Sequence, residues 1–95
     1  MTEYAIHGLK FVLTCGACPE QYDVINGRGQ RVGYVRLRWG RFTVDYPDCG
    51  GELCYQFVFD DRWKGCFDSD EQRMDYLTKA ALALKTKDKE ARHPK

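Results

Sequence analysis

The chain has almost no net charge. Its 15 Lys and Arg stand against 14 Asp and Glu, a formal +1. That balance excludes a generic polycation built to coat nucleic acid, and an acidic decoy. Long apolar runs are missing as well. Near the start the only such run is Phe11 to Leu13, where a secretory signal needs roughly 7–15 apolar residues. Nothing approaches the roughly 20 apolar residues of a membrane span. A cytoplasmic protein without a membrane partner is therefore expected. Histidine is scarce, with only His7 and His93. A Cys–His nucleophile would have to join His7 to Cys15 or Cys18, and no spacing indicates that geometry. A glycine-rich loop of phosphate-cradling spacing is also lacking. No catalytic constellation emerges, and the reading leans away from an enzyme.

What is present suffices for one small fold. Ninety-five residues allow a single domain. Leu, Ile, Val and Phe number 20 of 95, just above the composition of disordered chains, so a thin core is expected. Residues 1–59 read as strands and turns, residues 68–86 as a helix, and residues 87–95 as a charged tail. The domain is thus expected over 1–86, with 87–95 flexible.

The clearest local pattern is Val32 to Tyr46. Trp39 and Gly40 separate two alternating runs, as in a two-residue hairpin loop. Centring the loop there sets Arg38 opposite Arg41, Leu37 opposite Phe42, Arg36 opposite Thr43, Val35 opposite Val44 and Tyr34 opposite Asp45. Val35, Leu37, Phe42 and Val44 then share the core face. Tyr34, Arg36, Arg38, Arg41, Thr43 and Asp45 share the other. A slip of one residue would bury the arginines. A type I′ turn asks for positive φ at both loop positions, which a tryptophan resists. A longer loop bulged at Gly40 is the alternative.

Asn26-Gly27-Arg28-Gly29 predicts an earlier hairpin, between Gln21–Ile25 and Gln30–Val35. Gly33 breaks the alternation and suggests a bulge or a close backbone approach. Leu9–Thr14 reads as a first strand and Leu53–Phe59 as a last long one. Lys64–Phe67 reads as a short edge strand. Ser69 followed by Gln72 is a capping-box signal, with Asp70 and Glu71 in the first turn. Met74, Leu77, Ala81 and Leu84 form an amphipathic stripe, flanked by Tyr76, Ala80 and Leu82. The fold class expected is α+β: a meander of four or five antiparallel strands with one C-terminal amphipathic helix packed on one face.

Five cysteines, at 15, 18, 49, 54 and 66, are an odd number, so a closed disulfide framework leaves one over. The leading expectation is buried free thiols. Cys15-x-x-Cys18 also has the spacing of a redox pair or of half a zinc site. Tyr46-Pro47-Asp48-Cys49-Gly50-Gly51 resembles one knuckle of a zinc ribbon. That resemblance implies a zinc-stabilised domain with Cys15, Cys18, Cys49 and Cys54 as ligands. Tyr46 stands where the family carries its other knuckle cysteine, so Cys54 would substitute. No other cofactor is suggested.

The near-neutral total conceals a dipolar chain. From Arg28 to Arg41 there are five arginines and no acid. From Asp45 to Asp75 there are nine acids against Arg62, Lys64 and Arg73. The candidate binding surface is the outer face of the hairpin. Arg36, Arg38 and Arg41 would be its anchors, beside Tyr34, Trp39 and Thr43. Arg, Tyr and Trp are the residues that dominate protein interfaces. A protein-interaction or inhibitor module of the bacterial or phage accessory type is the leading expectation, by analogy with other small stand-alone domains. The same face suits a nucleotide or nucleic acid, with guanidiniums on phosphate and an aromatic ring on a base. A plain alternative is a solvated sheet face whose arginines pair with Asp45 and other acids. Homodimer formation through an open sheet edge is a further expectation. Trp63, between charges, reads as a partly buried aromatic or a contact residue.

Overall fold

A computed structural model describes residues 2–14 and 18–92, without the side chains of residues 91 and 92. The strands are β1 (Glu3–Ile6), β2 (Leu9–Leu13), β3 (Glu20–Ile25), β4 (Arg31–Arg38), β5 (Arg41–Tyr46) and β6 (Glu52–Val58). One helix, α1 (Asp70–Arg92), follows. The strands form one antiparallel sheet in the order β1-β2-β3-β4-β5-β6. The α+β meander expected from the sequence is what forms, with six strands rather than four or five. The additional strand is β1, joined to β2 by a tight turn at His7 and Gly8, both at positive φ. Lys64–Phe67 is not a strand. Its backbone instead serves the hairpin tip and β3, with Gly40 N donating to Lys64 O at 2.8 Å and Glu20 N to Gly65 O at 2.7 Å.

Alternation decides which side of the sheet is buried. Phe11, Tyr22, Val24, Val35, Leu37, Phe42 and Val44 face the helix and are almost completely buried. The helix answers with Leu77, Ala80, Ala81 and Leu84. Met74, expected in the stripe, is exposed, and Ala80 takes a core position instead. Alanines at the crossing let the helix approach closely. Gly33 completes that approach, because a Cβ there would lie 2.6 Å from a Leu84 methyl. The β3–β4 register shifts beside Gly33, between Val24 and Ile25. Both expectations for this glycine, bulge and close approach, are thus met.

The helix starts where the capping residues predict. Gln72 N donates to Ser69 Oγ at 3.0 Å, and Gln72 Oε1 accepts from Asp68 N at 2.8 Å. Its end lies later than expected. The segment read as a tail from residue 87 is helical through Arg92. Lys87 pairs with Glu52, and Asp88 accepts from the Tyr46 hydroxyl at 3.2 Å. These contacts hold the last turns against β5 and β6.

One carboxylate closes the end of the core nearest the helix start. Glu20, only 6% exposed, accepts four hydrogen bonds. Tyr22 Oη donates at 2.6 Å and Arg73 Nε at 2.8 Å to Oε1. Phe67 N donates at 2.8 Å and Arg73 Nη2 at 2.9 Å to Oε2. Burial alone pushes the Glu20 carboxyl up. Arg73, the Tyr22 hydroxyl and the Phe67 amide outweigh it and hold the group below the ordinary glutamate range. Burial and the adjacent Glu20 carboxylate push the Tyr22 phenol well above its ordinary range.

A carboxyl held low in the folded state binds fewer protons there than in the unfolded chain. Its contribution to stability is therefore full above the unfolded value, near pH 4.3, and is lost as pH falls through the lower folded value. Glu20→Ala should cost about 2–4 kcal/mol in urea unfolding, because it takes from the half-buried Arg73 its buried partner and leaves it only the exposed Asp70 carboxylate. Wild type should also lose stability below about pH 4 more steeply than Glu20→Gln. Parallel acid limbs in the two proteins would count against this role.

Candidate functional site

The outer face of the sheet, opposite the helix, sorts its charges by row. The expected β4–β5 register is the one observed, from Tyr34 opposite Asp45 to Arg38 opposite Arg41. Beyond a row of Ala5, Lys10, Ile25 and Arg31, extending each pairing across neighbouring strands gives three rows towards the hairpin tip. Glu3, Val12, Asp23, Tyr34, Asp45 and Leu53 form the first. Gln21, Arg36, Thr43 and Gln56 form the second. Arg38, Arg41 and Val58 form the third, at the hairpin tip. One end of the hairpin pairs Arg31 with acids, and the tip carries guanidiniums.

The aspartates near the hairpin are engaged elsewhere. Asp23 and Asp48 both hold Arg31, at 3.2 and 3.0 Å. Asp45 accepts from Gly50 N at 3.2 Å, stabilising the β5–β6 turn. The expected pairing of these arginines with Asp45 is therefore not what forms. Among the described residues Arg36, Arg38 and Arg41 have no carboxylate partner. Arg41 donates through Nε and Nη2 to Gln56 Oε1, at 2.9 and 2.7 Å, which fixes the guanidinium and leaves its charge uncompensated. Arg38 stands directly across from it, a like-charge pair of the kind that costs stability. Arg36, Arg38, Trp39, Arg41 and Thr43 line one shallow cleft of about 240 Å³. Five of the six residues expected from the sequence are thus brought together. Tyr34 lies in the acidic row, where its hydroxyl donates to Gln21 Oε1 at 2.7 Å.

The hairpin tip adopts the tighter of the two loops considered. Trp39 has φ 55° and Gly40 φ 72°, so both positions of the two-residue turn are left-handed. A tryptophan in that region is uncommon and requires support from its surroundings. The support is the segment 59–65. Phe59 N donates to Gly40 O at 2.7 Å, and Gly40 N donates to Lys64 O at 2.8 Å. Contact is so close that a Cβ on Gly40 would lie 2.3 Å from Asp61 O. Trp63 projects from this segment and meets Trp39 edge to face, with centroids 5.6 Å apart. The two rings are nevertheless 61% and 79% exposed, Trp39 and Trp63 respectively. Trp63 is therefore not the partly buried aromatic expected from the sequence. Its exposure results from docking of its own backbone, which no local pattern signals. Arg38 lies over the Trp39 ring at 5.7 Å.

The cysteines depart from the expectation of free thiols. Cys18 and Cys66 form a disulfide, with a Cα–Cα distance of 5.4 Å. It ties the start of β3 to the segment behind Trp63. Cys18 is therefore not a thiolate available to zinc, and its partner is Cys66 rather than Cys15, which lies outside the described residues along with His93. Cys49 is exposed and Cys54 half-buried, both free. Burial, then the nearby Asp45 charge, pushes the Cys54 thiol up, away from the reactive range. Among the described residues no three His, Cys, Asp or Glu side chains converge as a metal-binding group. His7 occupies the β1–β2 turn, where its carbonyl accepts from Lys85 Nζ at 3.0 Å. No described helix is long and apolar enough to cross a membrane.

No family model, curated protein or solved structure matches this chain.

Closing a loop with a sequence separation of 48 residues is worth about 4 kcal/mol on the chain-entropy account. Cys18→Ser with Cys66→Ser should therefore lower unfolding stability by about 2–4 kcal/mol. Digestion of the unreduced protein should release a Cys18–Cys66 linked peptide. Recovery of Cys15 linked to Cys18 would contradict the pairing. Gly40→Ala should cost about 2 kcal/mol or more, through its left-handed φ and the collision with Asp61 O, measured by denaturant unfolding.

Proposed function

We propose that the chain is a small binding protein rather than an enzyme, and that it docks an acidic protein surface through the outer face of the β4–β5 hairpin. The observation that carries this reading is the set of uncompensated guanidiniums. Arg38 and Arg41 are held opposite each other with no carboxylate partner among the described residues, and Arg36 lies in the next row. Such an arrangement costs a little stability in the free protein. An acidic partner would relieve it, and would gain charge-assisted hydrogen bonds to guanidiniums already confined to one face. The exposed Trp39–Trp63 pair adds apolar contact area of the type that dominates interface energies. An inhibitor is one form such a docking module takes, acting by covering a partner's surface.

The compartment bears on the disulfide. The sequence suggests the cytoplasm, whereas a bond such as Cys18–Cys66 is kept chiefly in oxidising surroundings. Thiol trapping in intact cells measures which condition the protein experiences.

Affinity capture from an extract of the source cells, comparing wild type with Arg36→Ala/Arg38→Ala, tests the docking face. Wild type should retain an acidic protein that the double variant binds at least about tenfold more weakly. Stability of the variant should be unchanged or slightly raised, since a cross-strand repulsion is removed. Equal retention by both proteins sinks the assignment. Affinity for the retained protein should fall only moderately with salt. A nucleic-acid partner would instead show a linear fall of log affinity with log salt, with a slope of about −0.9 per phosphate contacted on a duplex.

A further inference from the structure

Beside the arginine cleft lies a second concavity that the charge argument does not use. It has a volume of about 480 Å³ and is lined by Cys18, Pro19, Gln21, Arg38, Trp39, Trp63 and Gly65. Arg38 and Trp39 belong to both. The walls are the two indoles, whose planes meet at 68°. The floor is held from two sides. Glu20 N donates to Gly65 O at 2.7 Å, and the Cys18–Cys66 bond crosses behind Trp63. The notch is therefore built before any ligand arrives, which removes much of the ordering cost of binding.

Its polar groups are donors with free capacity. Neither indole N–H has a hydrogen-bond partner among the described residues. Gln21 Oε1 accepts from the Tyr34 hydroxyl, which turns the carboxamide so that its NH₂ remains to donate. Arg38 adds a guanidinium. Aromatic walls with N–H donors along them suit an extended chain whose carbonyls are unpaired. A polyproline II segment has that character, since its backbone makes no internal hydrogen bonds and its ordering cost is already low. A proline ring is also a compact apolar wedge for the angle between two indoles.

Resting on the docking function above, we infer that the partner segment is an extended acidic peptide with a proline anchor. The proline fills the Trp39–Trp63 notch, and the acidic residues that follow it cross Arg38 to meet Arg36 and Arg41. Charge decides against a proline-rich segment without acids, because Arg38 forms part of the notch wall itself and is not neutralised by any described residue.

Trp39 and Trp63 are the only tryptophans in the chain, so tryptophan emission reports on the notch and, through Trp39, on the adjoining arginine cleft. Three fluorescein-labelled twelve-residue peptides serve as probes, with affinity read by anisotropy. One has two adjacent prolines beside a run of Glu and Asp. The second replaces the prolines with serine, and the third keeps the prolines and replaces the acids with serine. The same peptides without label are used for the emission measurement. The proline-anchored acidic peptide should bind at least about tenfold more tightly than either control. It should also shift tryptophan emission more than the serine-substituted acidic peptide does, and that excess should vanish in Trp63→Ala. In Trp63→Ala the preference for proline should vanish, while affinity for the serine-substituted acidic peptide stays within about twofold.

Equal affinity for the two acidic peptides, with equal shifts of emission, overturns the proline anchor and leaves the arginine docking face standing. Equal affinity for the two proline peptides overturns the acidic requirement. Failure of every acidic peptide to bind overturns this inference, while the docking face itself stands or falls on capture with Arg36→Ala/Arg38→Ala. Tighter binding of a twelve-residue oligothymidylate than of the anchored peptide assigns the notch to base stacking and overturns the peptide.

Discussion

The buried Glu20 carboxylate is the constraint on which the rest of the molecule depends. A charge placed at the end of a thin core must have its hydrogen-bonding capacity filled, or it destabilises the fold by several kcal/mol. Here the donors come from three parts of the chain: Tyr22 on the same strand, the Phe67 amide before the helix, and Arg73 in the helix's first turns. Satisfying the carboxylate therefore docks the helix and sets the path of residues 59–67. That path carries Trp63 to Trp39 and allows the Lys64 carbonyl to reach Gly40. The exposed aromatic pair is a remote consequence of a polar group in the interior.

The two sides of the sheet follow different physical rules. The helix side is arranged for packing, with Phe42 in edge-to-face contact with Tyr55, Phe67 and Tyr76. The other side gains little from its own contacts. Arg38 opposes Arg41, and Trp39 holds a left-handed backbone while most of its ring faces solvent. Unfavourable local choices gathered at one hairpin tip contrast with the consistency of the core, where strand alternation, glycine placement and helix capping agree.

Local patterns made much of this legible before any coordinates. The β4–β5 register was readable because Val35, Leu37, Phe42 and Val44 all fall on one face only when Trp39-Gly40 is the loop. Asn26 was readable as a turn residue, and its side chain accepts from the amides of Arg28 and Gln30. Long-range chemistry was not legible. Glu20 follows a proline and looks like any surface acid, and only the approach of Arg73, 53 residues later, makes it a buried one. Disulfide partners cannot be deduced from spacing when five cysteines are present. His7 concealed the β1–β2 turn, since a histidine at positive φ is not a turn signal. The site was half visible for the same reason: its arginines alternate along a strand, whereas Trp63 arrives from a distant segment.

The strand order carries a consequence for how the chain assembles. Every strand pairs only with its neighbours in sequence, so each pairing closes a short loop and its entropic cost is met in small steps. The sheet can grow one hairpin at a time from any starting turn. Joining the segment before the helix to the beginning of β3 is different, because it spans about half the chain at once. The aromatic notch lies on that joint. That part of the surface is thus assembled from segments far apart in the sequence, and no single hairpin can form it alone.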